Sequence, residues 1–200
     1  MSETSTTTDE VTAVGLRCFG DGDELYAAYH DTEWGVPVHG EAELLERLAL
    51  EGFQSGLSWL TVLRKRPAFR TAFAGFDPEA VARFTDEDVE RLLLDASIIR
   101  NRAKVRAVVT NARAVVGLHA QGRTLDDLVW SHAPAGSAPE RHAMWMDVPA
   151  STPGSVALAK DLKANGFTFV GPITAYATMQ ACGLVDDHLA GCLVARRPTS

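Results

Sequence analysis

The chain has 200 residues, of which 46% are hydrophobic and 22% charged, and its formal net charge is -7. This composition is typical of a folded globular protein and excludes a chain too polar to collapse. No apolar run approaches the roughly 18 residues that a spanning helix needs, and the polar, acidic start is unlike a secretory signal, so we expect a cytoplasmic protein without membrane contact.

The domain organisation follows from the two ends of the chain. A Ser/Thr-rich start without basic residues predicts a disordered tail at 1–14, and a second short tail is expected at 196–200. Between them, residues 15–195 are predicted to form a single domain. A Pro/Ser/Ala stretch at 134–140 could divide it into two helical lobes with the active site between them.

The predicted fold class is all-α, because apolar residues recur at three- and four-residue steps and no alternating β-branched strand stands out. Roughly eight to ten short helices are expected. Pro78 at a first helical position, the acidic turn Asp86–Glu90 and Asn165–Gly166 after residues 157–164 are start and stop signals. The breakers expected to separate helices are Gly35, Pro37, 52–56, Pro67, Gly117, 134–139, 149–154 and 166–172.

Cysteine and histidine residues near the two ends of the chain form a candidate metal site. His188 and Cys192 are four residues apart, so on a helix they would share one face. Cys18 precedes a predicted helix that ends near His30, and the four residues together would make a filled tetrahedral set for a structural Zn²⁺ ion. The alternative is that the cysteines are small buried hydrophobes and the histidines ordinary hydrogen-bonded residues. Cys182 is predicted to be a core residue.

A carboxylate in an apolar stretch is the candidate functional group. Glu51 has mostly apolar helical neighbours, so its ionised form would be costly unless hydrogen-bond donors meet it. Aromatic residues near it in the sequence could form flat walls for a planar ligand, although ordinary core packing is the alternative for each of them. These aromatic residues are Tyr26, Tyr29, Trp34 and Trp59.

Basic residues are concentrated in two segments. Residues 61–76 and 96–125 contain ten of the 19 lysines and arginines and no acidic residue. Solvated helix faces are the common role of such runs, but the lack of compensating acids equally favours a surface that faces a polyanion such as nucleic acid.

Several sequence blocks together resemble the bacterial 3-methyladenine DNA glycosylase I family, from about Cys18 to Cys192. The blocks are Tyr26–Pro37, Leu50–Trp59, Ile98–Lys104, Phe169–Gly171 and Met179–His188. The resemblance implies a helix-hairpin-helix glycosylase-like helical fold with a zinc ion joining the N- and C-terminal segments. It also implies a monofunctional enzyme, expected to be a monomer near the bacterial nucleoid, that flips a nucleotide out of double-stranded alkylated DNA and hydrolyses the N-glycosidic bond of 3-methyladenine.

The resemblance also implies roles for individual residues. Glu51 would be the catalytic residue and hydrogen-bond the adenine edge, Tyr29 would add a polar contact and Trp59 would stack on the base, with Tyr26 and Trp34 completing an aromatic box. A tight turn would press into the gap left by the extruded nucleotide, and a hairpin near 96–104 would contact DNA. The residues of this turn and hairpin are Gln54, Ser55, Gly56, Leu57, Arg100, Arg102 and Lys104.

The sequence departs from the family pattern in three respects. Phe19 and Gly20 stand where the family has a tryptophan shortly after the first cysteine, so one pocket wall is either Phe19 or missing. The glycine-rich hairpin signature is absent from Ser97–Arg102, and no counterpart of the superfamily's catalytic aspartate is found. The alternative function is therefore a zinc-clamped helical DNA-binding module without catalysis. A zinc hydrolase, the third hypothesis, would need an open metal position.

Overall fold

A computed structural model of the protein describes residues 16–135 and 140–194, so the tails predicted at 1–14 and 196–200 lie outside the described residues. Within the described residues the regular structure is helical, as the sequence predicts, and the only β-type pairing is an isolated bridge between Leu16 and Cys192. The helices of these residues are α1 (Glu24–Thr32), α2 (Glu41–Gln54), α3 (Trp59–Ala72), α4 (Pro78–Ala82), α5 (Asp86–Leu94), α6 (Arg102–His119), α7 (Leu125–Trp130), α8 (Pro153–Ala164) and α9 (Pro172–Ala181), with 3₁₀ turns at Ala74–Phe76 and Trp145–Asp147.

The predicted helix boundaries agree with local chemistry. α4 begins at Pro78, whose missing N–H costs nothing in a first turn. α5 begins at Asp86 after the N-cap Thr85, and three acidic residues in its first turn suit the positive end of the helix. α8 ends at Ala164, followed by Asn165 and by Gly166 at φ +91°.

Two expected helix breakers are wrong. Pro67 lies inside α3, and Gly117 lies inside α6. In each helix, buried apolar residues flank the breaker on both sides: Leu63 and Phe69 around Pro67, and residues 115 and 118 around Gly117. Burial of both flanks outweighs the loss of one backbone hydrogen bond at the proline or the greater backbone freedom of the glycine.

α2 lies at the centre of the fold and carries Glu51, the candidate functional carboxylate. It packs against α3, α6, α7 and α9, and every residue from Leu44 to Phe53 is buried. The buried apolar side chains form one cluster, and the division into two lobes stays a prediction. None of the described helices combines the length and apolar character that crossing a bilayer requires. A polar group on the last turns of α2, such as Glu51, is therefore largely shielded from water.

Backbone contacts bring the two described chain ends together. The Leu16 N–H donates to the Gly191 carbonyl at 3.3 Å, and the Leu193 N–H donates to the Leu16 carbonyl at 3.0 Å. At the other side of α3, the Lys65 ammonium donates to the carbonyls of Ala96 and Ser97, in the connection between α5 and α6. The first contact brings together the segments that carry the candidate metal residues, and the second fixes the connection between α5 and α6.

Candidate active site and metal centre

A pocket of about 270 Å³ opens beside the C-terminal end of α2. All five residues that the sequence predicts for the aromatic pocket line it. Tyr26 and Tyr29 lie on α1 and Trp34 follows it, whereas Glu51 lies near the end of α2 and Trp59 begins α3. The complete lining is Phe19, Tyr26, Tyr29, Trp34, Glu51, Gln54, Trp59, Trp145, Ala177 and Gln180.

The α2–α3 connection sets the geometry of the deep wall. α2 ends at Gln54, Gly56 turns the chain at φ +85°, and the Ser58 side chain caps the first turn of α3, so that Trp59 is the first residue of α3. The ring of Trp59 lies 5.3 Å from that of Tyr29 with the two planes inclined by 47°. The buried indole N–H of Trp59 has no hydrogen-bond partner within the described residues, so it is a donor left for a ligand.

Glu51 is the only carboxylic acid among the described residues that line the pocket. Its residue surface is 8% exposed, and none of the described residues donates a hydrogen bond to its carboxylate. Burial raises the pKa of Glu51 to about 8, and the positive charge of Arg47, one helical turn earlier, acts in the opposite direction. Burial and the nearby Glu51 charge also raise the pKa of Tyr29, so its phenol stays protonated as a donor. The pocket therefore holds an acid whose charge depends on what enters.

A buried ionic network holds Arg47 behind the pocket. One Arg47 nitrogen donates to Glu33 at 2.8 Å, whereas its Nη1 is buried without a partner in the described residues. Arg66 donates to the same Glu33 carboxylate at 2.6 Å and also to Glu46. Arg47, four residues before Glu51 on α2, is the cation whose charge acts on the Glu51 carboxylate.

Three residues of the pocket lining, Trp145, Ala177 and Gln180, come from segments that the sequence does not connect with the pocket. Trp145, in the second 3₁₀ turn, donates from its indole nitrogen to the Cys18 carbonyl at 2.6 Å. Gln180, on α9, donates to the Asp187 carboxylate at 2.7 Å. Phe19 also lines the pocket, as one of the two alternatives for that wall predicts. A tryptophan between two methionines outside any predicted helix was the available signal for Trp145.

Three of the predicted metal ligands meet at the joined chain ends. The ligand atoms of Cys18, His30 and Cys192 lie within 4.8 Å of one another and could hold a metal ion. The fourth predicted ligand, His188, has its ring 5.1 Å from that of His30, and its Nε2 is buried with no partner in the described residues. A buried imidazole nitrogen without a partner in the described residues, on a ring next to that of His30, is what a tetrahedral zinc set would leave.

Neighbouring groups orient these ligand atoms. Nδ1 of His30 lies 2.8 Å from an Asp31 oxygen, and Nδ1 of His188 lies 2.9 Å from an Asp186 oxygen. A carboxylate at Nδ1 keeps the proton there and leaves Nε2 as the ligand atom, as in many metal sites. The backbone N–H groups of residues 189 and 194 donate to the sulfurs of Cys18 and Cys192 at 3.1 and 3.4 Å. The donor set and its supports therefore fit a zinc ion.

The helix expected to present His188 and Cys192 on one face is wrong. α9 ends at Ala181, and Gly183 at φ +73° approaches the backbone of Val36 and residue 37 so closely that a Cβ would lie 2.6 Å from them. Asp186 then accepts from both the backbone and the ring of His188, which favours a turn. His188 and Cys192 therefore lie on an irregular segment after α9.

Most cations of the two basic segments make contacts within the protein, and half of them pair with an acid that lies outside these segments. Carboxylates from other parts of the chain meet five of the ten cations, and carbonyl or amide oxygens meet four more. These contacts are Arg64 with Asp23, Arg66 with Glu33 and Glu46, Arg70 with Glu46, Arg102 with Glu90, Arg106 with Asp86, and Lys65, Lys104, Arg113 and Arg123 with neutral oxygens. Within the described residues no partner is found for Arg100, which is exposed.

The candidate DNA-contact residues therefore divide into two groups. Lys104 is buried, and its ammonium donates to the carbonyls of Phe53 and Ser55 at 3.0 and 2.7 Å. Lys104 therefore binds the end of α2 rather than a phosphate. Arg102 is engaged by Glu90. By contrast, residues 55–57 are exposed at the pocket rim next to Gln54, and Leu57 keeps 43% of its surface accessible.

Comparison with known proteins shows the family to which this chain is similar. The profile of the family described as methyladenine glycosylase matches residues 19–196. The chain is 49% identical to DNA-3-methyladenine glycosylase 1 of Escherichia coli over 170 residues, covering 85% of this chain and 91% of that protein. It is 43% identical to the Haemophilus influenzae DNA-3-methyladenine glycosylase over 181 residues, covering 88% and 96%. A Staphylococcus aureus structure of 3-methyladenine DNA glycosylase I, solved to explain 3-methyladenine recognition, superposes with a TM-score of 0.85 at 34% identity, covering 92% and 98%.

Proposed function

Because the chain belongs to the methyladenine glycosylase family, we propose that it excises 3-methyladenine from alkylated double-stranded DNA by hydrolysing the N-glycosidic bond of a flipped nucleotide. The observation that carries this proposal is a buried carboxylate without a protein partner, enclosed by indole and phenol rings. Such a pocket suits a planar cation, because the rings offer stacking and cation–π contacts and the carboxylate offers charge. All of these residues come from one chain, so a monomer suffices.

The charge of the damaged base explains how this pocket performs the reaction. Methylation at N3 makes the purine cationic, so the base leaves as a neutral molecule and needs no proton from the enzyme. Glu51, in its ionised form, attracts the cation in a site shielded from water, where a charge interaction is strong. The same anion compensates the positive charge as it passes to the sugar and water attacks. Neutral adenine gains none of this attraction and keeps a stable glycosidic bond, which gives selectivity.

Hydrogen bonds position the base within the pocket. The adenine edge presents an amino donor and a ring acceptor, for which the Glu51 carboxylate and the protonated Tyr29 phenol are suited partners. Trp59 stacks on the ring, and Tyr26 and Trp34 complete the aromatic box. Extrusion of the nucleotide costs a few kcal/mol and is easiest for a damaged, poorly paired base, which adds a second filter.

The exposed turn at residues 54–57 is the proposed contact with the gap in the duplex. Leu57 is an exposed apolar side chain at the pocket rim, and insertion of such a side chain between bases is a known way to hold an opened duplex. Arg100, on the α5–α6 hairpin, is the proposed phosphate contact because it is exposed and unpaired within the described residues. Lys104 instead holds the α2 end that carries this turn.

We further propose one structural Zn²⁺ ion per chain, held by Cys18, His30, His188 and Cys192. Four protein ligands would leave no open position for a substrate or an activated water, so a bound zinc ion supplies cross-linking of the chain ends and no chemistry. The zinc hydrolase hypothesis lacks the open metal position that it needs.

Release of free base from methylated duplex DNA tests the proposed function. The wild-type protein is expected to release 3-methyladenine, measured by chromatography, and to leave an abasic site without cutting the strand. DNA that is bound but keeps all its methylated bases would instead support the zinc-clamped DNA-binding module. DNA that is neither bound nor altered would contradict both.

Removal of the unpaired arginine tests the DNA surface. Arg100→Ala is expected to weaken binding of duplex DNA and to reduce the slope of log affinity against log salt concentration by about 0.9, since one phosphate contact is lost. Filter binding or fluorescence anisotropy at several salt concentrations measures this. Arg102→Ala is the matched control, because that guanidinium is held by Glu90; equal slopes for wild type and Arg100→Ala would remove Arg100 from the interface.

Removal of the cation behind the pocket tests the ionisation of Glu51. Arg47→Met is expected to raise the pKa of Glu51 further, because burial is then unopposed by Arg47. The rise of kcat/KM with pH should move to higher pH by about one unit. Arg70→Met is the control, because it likewise removes a cation, one that contacts Glu46. This variant should leave the pH profile of kcat/KM unchanged. Coincident profiles for Arg47→Met and wild type would show that Arg47 does not set this ionisation.

A further inference from the structure

The outer side of the pocket carries an aromatic residue from a distant part of the chain. Trp145 lines the pocket, and its ring lies 6.1 Å from that of Phe19 and 5.9 Å from that of Trp34. It is nevertheless 41% exposed, and its neighbours Met144 and Met146 are more exposed still. An indole that faces an open pocket while much of its surface stays accessible is poorly explained by core packing.

The segment that carries Trp145 is fastened to the metal centre at several points. The Trp145 indole donates to the carbonyl of Cys18, a proposed ligand. Arg141 donates twice to Asp186, the residue that orients His188, and once to the Val194 carbonyl at 2.7 Å.

The backbone adds another contact, because the N–H of residue 190 donates to the carbonyl of residue 142 at 2.9 Å. Each hydrogen-bond partner of residues 141–147 that is distant in sequence is thus a proposed ligand or lies within two residues of one.

We propose that Trp145 forms the outer wall of the base pocket and that the metal centre holds it there through the 141–147 segment. The centre then does more than join the chain ends, since it also sets how closely the pocket encloses the base. A flat cationic ring entering the pocket would cover exposed indole surface and gain cation–π attraction. This inference rests on the proposed function, because it takes the alkylated base as the ligand.

Binding of free 3-methyladenine and its excision from DNA, measured side by side, test the wall. Trp145→Ala is expected to weaken binding of the free base and to raise KM about tenfold, the effect of losing one base–aromatic stack. Trp145→Phe keeps a ring but loses the bond to Cys18, so an intermediate effect is expected. Met146→Ala is the matched control, because Met146 lies on the same turn, is 81% exposed and does not line the pocket.

The coupling to the metal centre is tested on a residue outside the pocket. Arg141→Met removes the contacts to Asp186 and Val194, and we expect it to weaken binding of the free base severalfold while Met146→Ala leaves it unchanged. Chelation of the metal from the wild type should weaken base binding, as Arg141→Met does. It should also change the tryptophan fluorescence. Thermal unfolding and metal content of each variant identify any that are misfolded, and Trp145→Phe serves in place of Trp145→Ala in that case.

The possible outcomes separate this inference from the proposed function. The proposal that Trp145 forms the outer wall would be wrong if the wild type excises 3-methyladenine and the Trp145 variants bind and excise it equally well. Weak binding by Trp145→Ala with full binding by Arg141→Met would overturn its coupling to the metal centre. A wild type that releases no base from methylated DNA would contradict the proposed function itself, whatever the variants do.

Discussion

Glu51→Gln is expected to lower kcat/KM for 3-methyladenine release at least about a hundredfold, within the range for loss of a catalytic side chain. Glutamine has the shape of glutamate and still forms hydrogen bonds, but it cannot compensate the positive charge of the base and the sugar. Binding of methylated duplex DNA should therefore survive while excision falls. Single-turnover release of base, with DNA affinity measured on the same sample, separates the two effects.

The control for this variant is the same substitution elsewhere on α2. Glu43→Gln lies two turns earlier and is exposed, so it should excise base as the wild type does. If Glu51→Gln kept the wild-type rate, the carboxylate would not take part in the reaction. If it lost DNA binding together with excision, Glu51 would serve the fold or the interface instead.

Glu51→Gln, which lowers activity, is expected to be more stable than the wild type at higher pH. Burial raises the pKa of Glu51 from its ordinary 4.5 to about 8, so between these values the folded protein holds a proton that the unfolded chain has released. The free energy of unfolding of the wild type should accordingly fall, relative to that of Glu51→Gln, as the pH rises through this window. Denaturant unfolding of both proteins at pH 5 and pH 8 measures the difference. A difference that does not change with pH would mean that Glu51 ionises as an exposed acid does.

The second large effect is expected from the metal centre. Cys192→Ser should lower the zinc content and the free energy of unfolding, by about 4 kcal/mol if the free metal exceeds its dissociation constant a thousandfold. For a chain of this size that corresponds to a fall in Tm of roughly 10 °C. Chelation of the wild type should have a similar effect. Elemental analysis and thermal unfolding provide the two measurements.

A buried cysteine outside the centre supplies the control. Cys182 lies in the core near α2 and is fully buried, so Cys182→Ala creates a small cavity without removing a ligand. It should lose some stability and keep its zinc. A folded Cys192→Ser variant with full metal content and the wild-type Tm would contradict the structural site.

Much of the fold can be predicted because local chemistry and packing agree. Pro78, the acidic turn after Thr85 and the Asn165–Gly166 pair each satisfy or end a helix by their own backbone properties. The pocket around Glu51 is equally local, since its predicted aromatic residues flank α2 in the sequence. Where two local rules compete, as at Pro67, packing on both flanks decides, and only three-dimensional contacts reveal it.

The parts that could not be predicted depend on partners far away in the sequence. Arg102 and Arg106 lie in a segment without acidic residues, yet Glu90 and Asp86 on α5 meet them in the folded protein. Trp145 reaches the pocket through a bond to Cys18, 127 residues away. The net charge of a surface and the residues that line a pocket depend on which distant segments meet in the fold. A pattern in the sequence does not show these contacts.

A crystal structure of the wild-type protein with free 3-methyladenine tests the central claim most directly. The account predicts the base in the pocket between the rings of Tyr29 and Trp59, with its amino edge in hydrogen-bond contact with the Glu51 carboxylate. A base bound elsewhere, or a Glu51 side chain turned to solvent in the complex, would contradict it.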